Sequence, residues 1–303
     1  MDMSDHSRAD AGLRGDLRRD EPMGRHVSWR AGGSARVFYQ PADVADLCAF
    51  LRLLALAEPV LFVGLGSNLL VRDGGFAGTV ILTHHALNGI VVEDAGFRAW
   101  AGVASPHLAR FVARHGGTGA EWMAGVPGTV GGALAMNAGC YGGETWNHVV
   151  SVQTVDRAGT LHQRLPADYD LGYRHVQSRG CLDEWFVSAL FRFDEGEEAA
   201  AMERIRELLA KRVASQPLNQ PNAGSVFRNP PGDHAARLIE ASGLKGFALG
   251  GAQVSPKHAN FIVNLGGATA RDIETMMDHV QATVLAKTGI ELVREVRIVG
   301  DPA

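Results

Sequence analysis

Apolar residues recur along this chain with two periods, and the switches between them mark out small structural units. Ser34 to Tyr39 reads as a short strand. Asp43 then stands as a helix N-cap before Val44, Leu47, Leu51 and Leu54, an i, i+3, i+7, i+10 stripe that Pro59 closes. Val60 to Val63 is a compact apolar run of the buried-strand kind, and it leads directly into Gly64-Leu65-Gly66-Ser67-Asn68. Leu69 to Val71 continues as strand, and Thr79 to Leu82 ends this first unit. In the next unit Gly89 to Ala101 alternates like paired strands. Ser105 and Pro106 read as an N-cap and first-turn proline, with Gly116 closing the helix. Strands follow at Val149 to Val155 and Glu184 to Phe193, and Met202 to Val213 is a helix leading out.

The last unit opens on a polar stretch, Ser215 to Gly224, followed by a helix over Ala235 to Ala241 that Gly243 closes. Thr269 to Lys287 is the clearest helix. Thr269-Ala270-Arg271-Asp272 has the capping-box form, and Ile273, Met276, Met277, Val280 and Val284 make one stripe. Glu291 to Val299 reads as a final strand. Strands and helices that alternate in small units predict an α+β fold and argue against one doubly wound sheet.

Composition adds bounds. The chain has 303 residues, 46% hydrophobic and 20% charged, which suits about two domains with substantial cores. A net charge of −4 gives no electrostatic case for nucleic acid or an anionic membrane surface, so cations for a phosphorylated ligand must be placed locally. Cys48, Cys140 and Cys181 are widely spaced and contain no CxxC pair, which fits a reducing compartment. Leu47 to Leu65 is broken by Arg52, Glu58 and Pro59, so no membrane span is expected. The first 24 residues are charged throughout, unlike a secretory signal, and read as a loose tail. The expected location is the cytoplasm. Of 29 basic residues only Lys211, Lys245, Lys257 and Lys287 are lysines, a compositional bias that warns against over-reading any one arginine. The 12 histidines show no ligand spacing, and His84-His85 on a strand would face opposite sides, so no metal is expected.

Candidate chemistry begins with the glycine loops. Gly64 and Gly66 would let backbone N–H groups approach a diphosphate, yet Leu69 stands where a dinucleotide fingerprint wants glycine and no helix follows. On this motif alone, nucleotide binding and a plain turn are equally open. The run Ala124-Gly125-Val126-Pro127-Gly128-Thr129-Val130-Gly131-Gly132-Ala133 is more telling. So many glycines are entropically costly in an ordered loop and suit backbone laid against a long ligand. Ser225, in Asn222 to Pro230, is not in a nucleophile elbow and by spacing reads as a turn residue. Glu295 would share a strand face with Val293, Arg297 and Val299; paired or functional, spacing does not decide.

Eight motifs in order then resemble one family. They are Ser28-Trp29-Arg30-Ala31-Gly32-Gly33, Gly64 to Val71, Ala124 to Tyr141 with Met136-Asn137-Ala138-Gly139, Tyr173-Arg174, Gln216-Pro217, Ala223 to Pro230, His258 to Asn264, and Glu295-Val296-Arg297. Together they are similar to the UDP-N-acetylenolpyruvoylglucosamine reductases (UDP-N-acetylmuramate dehydrogenases), in the subgroup without an extra tyrosine loop. The resemblance covers Arg25 to Val299.

It implies a two-part FAD-binding module of the vanillyl-alcohol-oxidase type plus a C-terminal α+β substrate domain. The expected boundaries are a tail at 1–24, FAD subdomains at 25–84 and 85–205, and a substrate domain at 206–295, with 296–303 returning to the first subdomain. Non-covalent FAD would take hydride from NADPH and pass it to UDP-N-acetylglucosamine-enolpyruvate, making UDP-N-acetylmuramate for peptidoglycan, cell shape and division. Gly64, Leu65, Gly66, Ser67 and Asn68, with Gly125, Gly128, Thr129, Val130, Gly131 and Gly132, would hold FAD. Ser225 would donate a proton, with Arg174 and Glu295 stabilising the enolate-like charge. Glu295 is then protonated or acts through Ser225 or water. Tyr173, Arg174, Asn229 and His258 would contact substrate.

The resemblance further implies a monomer. Three positions depart from the family pattern: Arg228 for lysine, Arg294 for the proline before Glu295, and Val176 for serine. The alternatives are an oxidase of the same flavin fold, which has no reason to keep Ser225 with Glu295, and a non-catalytic sugar-nucleotide sensor.

Overall fold

The computed structural model describes residues 12–180 and 183–303. Residues 1–11 of the expected tail, and Cys181, lie outside the described residues. The chain divides into two compact units, one comprising the chain up to Arg19, Val37–Gly64 and Gly78–Leu209, the other Asp20–Arg36, Leu65–Ala77 and Ala210–Ala303.

In the first unit the helix Val44–Leu53 starts as its cap dictates, with the Asp46 N–H donating to Asp43 Oδ1 at 2.9 Å. Its buried face of Leu47, Phe50 and Leu51 packs with Tyr39, Ile81 and Val187. The strand Val60–Val63 pairs in parallel with the end of Phe76–Leu82, setting Val60 against Thr79 and Val63 against Leu82. A five-stranded sheet runs in the order Leu161–Arg164, Val149–Asp156, Glu184–Phe191, Gly96–Trp100, Ile90–Glu93, antiparallel throughout. The helices Ser105–Arg114 and Val130–Met136 contribute Leu108, Val112 and Val130 to the core beside it.

Two details there differ from the sequence reading. Ser105 is the first helical residue and Ala104 the cap, because the Ser105 N–H donates to the Gly128 carbonyl at 3.0 Å. His84 and His85 lie on a turn, not on a strand, and His85 takes a left-handed φ of 68°. Their rings consequently face each other at 3.9 Å between centroids.

The second unit holds a three-stranded antiparallel sheet of Ala248–Leu249, Ala252–Val254 and Ile262–Asn264. The parallel pair Leu69–Val71 and Arg297–Val299 is also part of it. The long helix Ala270–Thr288 has the full capping box: the Asp272 N–H donates to Thr269 Oγ1 at 3.0 Å, and the Thr269 N–H to Asp272 Oδ2 at 3.0 Å. Gly289, at φ 71°, ends it. Its stripe of Ile273, Met276, Met277, Val280 and Val284 packs against Trp29, Phe227 and Ile239. Trp29 is fully buried and satisfied: its Nε1 donates to the Ile262 carbonyl at 2.7 Å, while Asn264 Nδ2 donates to the Trp29 carbonyl at 2.9 Å.

Two expectations at the ends of the chain are corrected. Order starts before residue 24, since Asp16–Pro22 is a strand. The final strand is only Arg297–Val299, and Glu295 precedes it. Burial does alternate from Glu291 onward, with Leu292 and Val296 buried and Val293 55% exposed, but only Arg297–Val299 finds a ladder partner, in Leu69–Val71.

Met276 lies in the middle of the helix stripe with no exposure. Met276→Ala should lower unfolding free energy by about 2–5 kcal/mol in a urea titration. An unchanged midpoint would mean that this helix contributes far less than its burial indicates.

Candidate active site

The site residues of the second unit are organised around the extended segment Ser225–Arg228. Its Val226 N–H donates to the Asn260 carbonyl at 2.9 Å. The Asn260 side chain then reads both backbone groups of Phe227, accepting from its N–H at 3.0 Å and donating to its carbonyl at 2.8 Å. Asn260 is 3% exposed. A buried amide satisfied on both of its ends acts here as one rung of a sheet. On the other side, Phe227 and Arg294 form an antiparallel bridge. The Glu295 N–H donates to the Val226 carbonyl at 2.8 Å and the Arg228 N–H to the Val293 carbonyl at 2.8 Å. Ser225 and Glu295, 70 residues apart in sequence, are therefore brought onto adjacent bridged segments within one residue of register. The Ser225 hydroxyl is half-buried and has no partner among the described residues.

Asn229 continues the segment. Its Oδ1 accepts from the Ala235 N–H at 3.1 Å, securing the start of the helix Ala235–Ala241. His258 sits at the turn before Asn260. Its Nδ1 accepts from the Asn260 N–H at 3.3 Å, and its ring packs edge-on against Phe261. Burial pushes the imidazole pKa below its ordinary value; Lys245 adds to this and Glu240 opposes it. A neutral ring is also what an accepting Nδ1 requires.

The first glycine loop enters this unit at Leu65. Gly66 is left-handed at φ 57°, and a side chain there would come within 2.3 Å of the His26 carbonyl. Only glycine can make that approach without strain. The Ser28 N–H donates to the Gly66 carbonyl at 3.2 Å, fixing the turn. Among the described residues, the backbone N–H groups of Leu65, Gly66 and Ser67 have no acceptor. Three successive unaccepted donors in a partly buried loop suit the oxygens of a diphosphate. Asn68 closes the loop. Its Nδ2 donates to the Glu295 carbonyl at 3.1 Å, and its own carbonyl accepts from the Arg297 N–H at 3.1 Å. The glycine loop and the Glu295 segment are thus one hydrogen-bonded structure.

In the first unit Gly64 lies against the second glycine loop: a Cβ on Gly64 would fall 2.2 Å from Thr129 Oγ1. The two glycine runs, far apart in sequence, meet at this point. Within the second run lies a helix the sequence reading had as loop, Val130–Met136, with Thr129 capping and Asn137 ending it at φ 42°. The N–H groups of Val130 and Gly131 donate to the Val103 and Ala101 carbonyls at 2.8 and 2.9 Å, and that of Gly132 to Thr129 Oγ1 at 3.4 Å. The protein itself satisfies these donors. Gly125 is buried and packs on Cys140 and Tyr141, and Gly128 offers its carbonyl to Ser105.

Tyr173 and Arg174 form the tip of the hairpin Tyr169–Gly172 with His175–Ser178. Arg174 has a left-handed φ of 54°, which costs a non-glycine residue about 1–3 kcal/mol. The guanidinium is held there by the Asn137 and Gly139 carbonyls, at 3.2 and 2.8 Å, and lies over the Tyr173 ring at 5.1 Å. Asn137 is itself anchored, donating to the Gly172 carbonyl at 3.1 Å and accepting from the Trp146 N–H at 3.1 Å. Val176 packs partly buried against the core of this unit, which accounts for an apolar residue where the family pattern has serine. The Nε of Arg228 is buried without a partner among the described residues. No group of three or more His, Cys, Asp or Glu side chains positioned for a metal occurs among the described residues, and no described helix is long and apolar enough to cross a membrane.

Comparison with known proteins identifies the family. The chain matches the UDP-N-acetylenolpyruvoylglucosamine reductase C-terminal domain over residues 216–299 and an FAD binding domain over residues 35–164. It is 58% identical to the UDP-N-acetylenolpyruvoylglucosamine reductase of Thiobacillus denitrificans, covering 95% of this chain and 94% of that one. The chain belongs to the UDP-N-acetylenolpyruvoylglucosamine reductase family. The member from Nitrosospira multiformis is 56% identical over 100% of this chain and 94% of its own. The crystal structure of the reductase from Thermus caldophilus superposes with a TM-score of 0.79 at 30% identity, covering 94% of this chain and 99% of that one. The fold is α+β, an FAD-binding module followed by the reductase family's C-terminal domain. Within this family frame, sequence reasoning had Asn260 inside a motif without a role. Its signal was an asparagine placed before an apolar Phe-Ile-Val run, where a buried amide must find backbone partners.

The depressed His258 pKa has a consequence for stability. The unfolded chain takes up a proton near the ordinary pKa of about 6.5, while the folded chain resists it to lower pH. Stability from this group is therefore full above that value and falls as pH drops toward the folded pKa. Urea midpoints at pH 5.5 and pH 7.5 should differ less in His258→Asn than in the parent, and an equal difference would show that His258 is not the titrating group.

Proposed function

We propose that the protein catalyses the NADPH-dependent, FAD-mediated reduction of UDP-N-acetylglucosamine-enolpyruvate to UDP-N-acetylmuramate, a step of peptidoglycan precursor synthesis. The observation that carries the reading is the backbone pairing of Ser225–Arg228 with Val293–Glu295, which brings a free hydroxyl and a carboxylate onto neighbouring segments. A flavin oxidase on another substrate, or a sugar-nucleotide sensor, has no use for that pairing.

When bound, FAD supplies the two-electron relay between NADPH and the enolpyruvyl double bond. Leu65, Gly66 and Ser67 offer three N–H donors for its diphosphate. We assign Gly64, Asn68, Gly125 and Gly128 to Gly132, with Thr129 and Val130, to the surface FAD lies against. Hydride added to the terminal methylene leaves negative charge on the adjacent carbon and its carboxylate. The Ser225 hydroxyl gives that carbon a proton and recovers one from water, which balances the reduction: substrate, NADPH and a proton give product and NADP⁺. Arg174 and Glu295 act on the substrate carboxylate, the first as a fixed cation. A charged Glu295 would repel the carboxylate, so Glu295 works protonated or through Ser225 or water. Tyr173, Asn229 and His258 contact the sugar nucleotide; the Asn229 Nδ2 and His258 Nε2 have no hydrogen-bond partner among the described residues and can serve. Functionally, residues 25–84 and 85–205 then form the FAD-binding parts, and residues 206–295 the substrate domain. A cytoplasmic monomer that supports cell shape and division follows from this role.

Anaerobic visible spectroscopy tests the reading in two steps. NADPH should bleach the flavin absorbance, and UDP-N-acetylglucosamine-enolpyruvate should restore it. Ser225→Ala should bleach at the parent rate and recolour about 10²–10⁴ times more slowly, the usual contribution of a placed general acid. Bleaching without recolouring in the parent protein would remove the substrate assignment, and a protein that binds no FAD would remove the reading altogether.

A further inference from the structure

Arg294 stands directly before Glu295, where the family pattern has proline, and it is the most heavily engaged side chain in its segment. The guanidinium is 24% exposed and reaches across to one face of the helix Ala270–Thr288. Its Nε donates to Gln281 Oε1 at 2.8 Å, one terminal nitrogen pairs with Asp278, and the other lies 3.6 Å from Glu274 Oε1. Glu274, Asp278 and Gln281 occupy i, i+4 and i+7, so a single helical stripe presents all three acceptors. Gln281 also donates from Nε2 to the Leu292 carbonyl at 2.7 Å, gripping the same segment one turn earlier.

This stripe is itself rigidly referenced. Arg72 forms two parallel bonds to Glu274, both at 2.9 Å, and donates to the Gly300 carbonyl at 3.2 Å. Asp73 accepts from the N–H groups of Ala270 and Arg271, each at 2.9 Å, at the helix start. The bidentate geometry holds the Glu274 carboxyl below its ordinary pKa, so it is ionised and available to Arg294. The backbone of Glu295 is meanwhile held by Val226 on its N–H and by Asn68 on its carbonyl. Proline in place of Arg294 would fix the backbone angle by itself; arginine leaves that angle free and anchors the segment through its side chain instead.

We propose that Arg294 is a positioning residue for Glu295, anchored by the Glu274–Asp278–Gln281 stripe of the long helix. The inference rests on the reading that Glu295 acts on the substrate. Loosening the anchor lets the carboxyl wander from its working position, while the glycine loop, tied at Asn68 to the backbone groups of this segment and held also by the Ser28 N–H, stays in place. The defect then falls on one half of the reaction.

Stopped-flow absorbance on the FAD-bound full-length protein separates the halves. For Arg294→Ala, bleaching by NADPH should stay within twofold of the parent, and recolouring by the enolpyruvyl substrate should slow about 10- to 100-fold, the scale of a misplacement near 1 Å. Arg294→Lys, which keeps the charge but not the fork, should recover part of the loss. Gln281→Ala, placed on the helix, should slow the same half and serves if Arg294→Ala folds poorly. Combining Arg294→Ala with Glu295→Ala should slow recolouring no further than Glu295→Ala alone. If Glu295→Ala recolours at the parent rate, the role of Glu295 falls and this proposal with it. If Glu295→Ala is slow but Arg294→Ala, Arg294→Lys and Gln281→Ala match the parent, the role of Glu295 stands and the positioning role is overturned. Equal slowing of both halves with loss of FAD would also overturn it, since it would mark a merely structural residue.

Discussion

A single buried amide, Asn260, fixes the segment from which the proposed chemistry is organised. Its two hydrogen bonds to Phe227, at 3.0 and 2.8 Å, complete a backbone rung that no neighbouring strand supplies. Removing it would leave a buried N–H and a buried carbonyl without partners, at about 1–3 kcal/mol each. The geometric effect is larger than the energetic one. With Asn260 on one side and Val293–Glu295 on the other, Ser225–Arg228 has both edges bonded and no freedom to slip register. Register is what keeps Ser225 one residue from the Val226–Glu295 pairing, so a slip would carry the hydroxyl away along the segment from the carboxylate.

The same economy appears in the glycine loop. Gly66 is forced by contact with the His26 backbone, and Asn68 by its bond to the Glu295 carbonyl. The N–H groups of Leu65, Gly66 and Ser67 are left without acceptors among the described residues. A turn kept only for its shape would be expected to satisfy those donors internally, as the start of the helix Val130–Met136 does with its own. The contrast between the two glycine runs therefore separates their tasks. The first keeps unaccepted donors, as the proposed diphosphate contact requires, and the second provides a tightly packed surface, closed against Ala101, Val103 and Thr129.

Much of the fold was legible because its strongest elements obey local rules. Asp43, Thr269 and Gly289 punctuate helices where their chemistry requires, and Val60–Val63 is buried as its composition demands. The misreadings share one cause, which is that tertiary contacts overrode a local pattern. Glycines at 131 and 132 disguised a helix stabilised by its cap and by the carbonyls of Ala101 and Val103. Ser105 looked like a cap but surrendered its N–H to Gly128. The segment around Glu295 looked like strand because its apolar residues alternate, yet only long-range bonds to Val226 and Asn68 define its shape. The candidate side chains themselves were legible only through the ordered motifs. No spacing rule connects Ser225 to Glu295, or Arg174 to Asn137, since each pair is joined across tens of residues.

Arg174 carries the argument one step further. A left-handed arginine at a hairpin tip is unfavourable, and two carbonyls from the Asn137–Gly139 turn hold it there. Asn137 is left-handed as well, and it is anchored to the base of the same hairpin through Gly172. Asparagine takes the left-handed region readily at a helix end, so the strain sits on Arg174, and the Asn137 and Gly139 carbonyls hold it. A surface arginine needing only solubility would relax into an ordinary turn. One held against its backbone preference, with its guanidinium already oriented by fixed carbonyls, presents a cation that does not have to be ordered when a carboxylate arrives, and preorganisation of that kind is what an enolate-like charge requires.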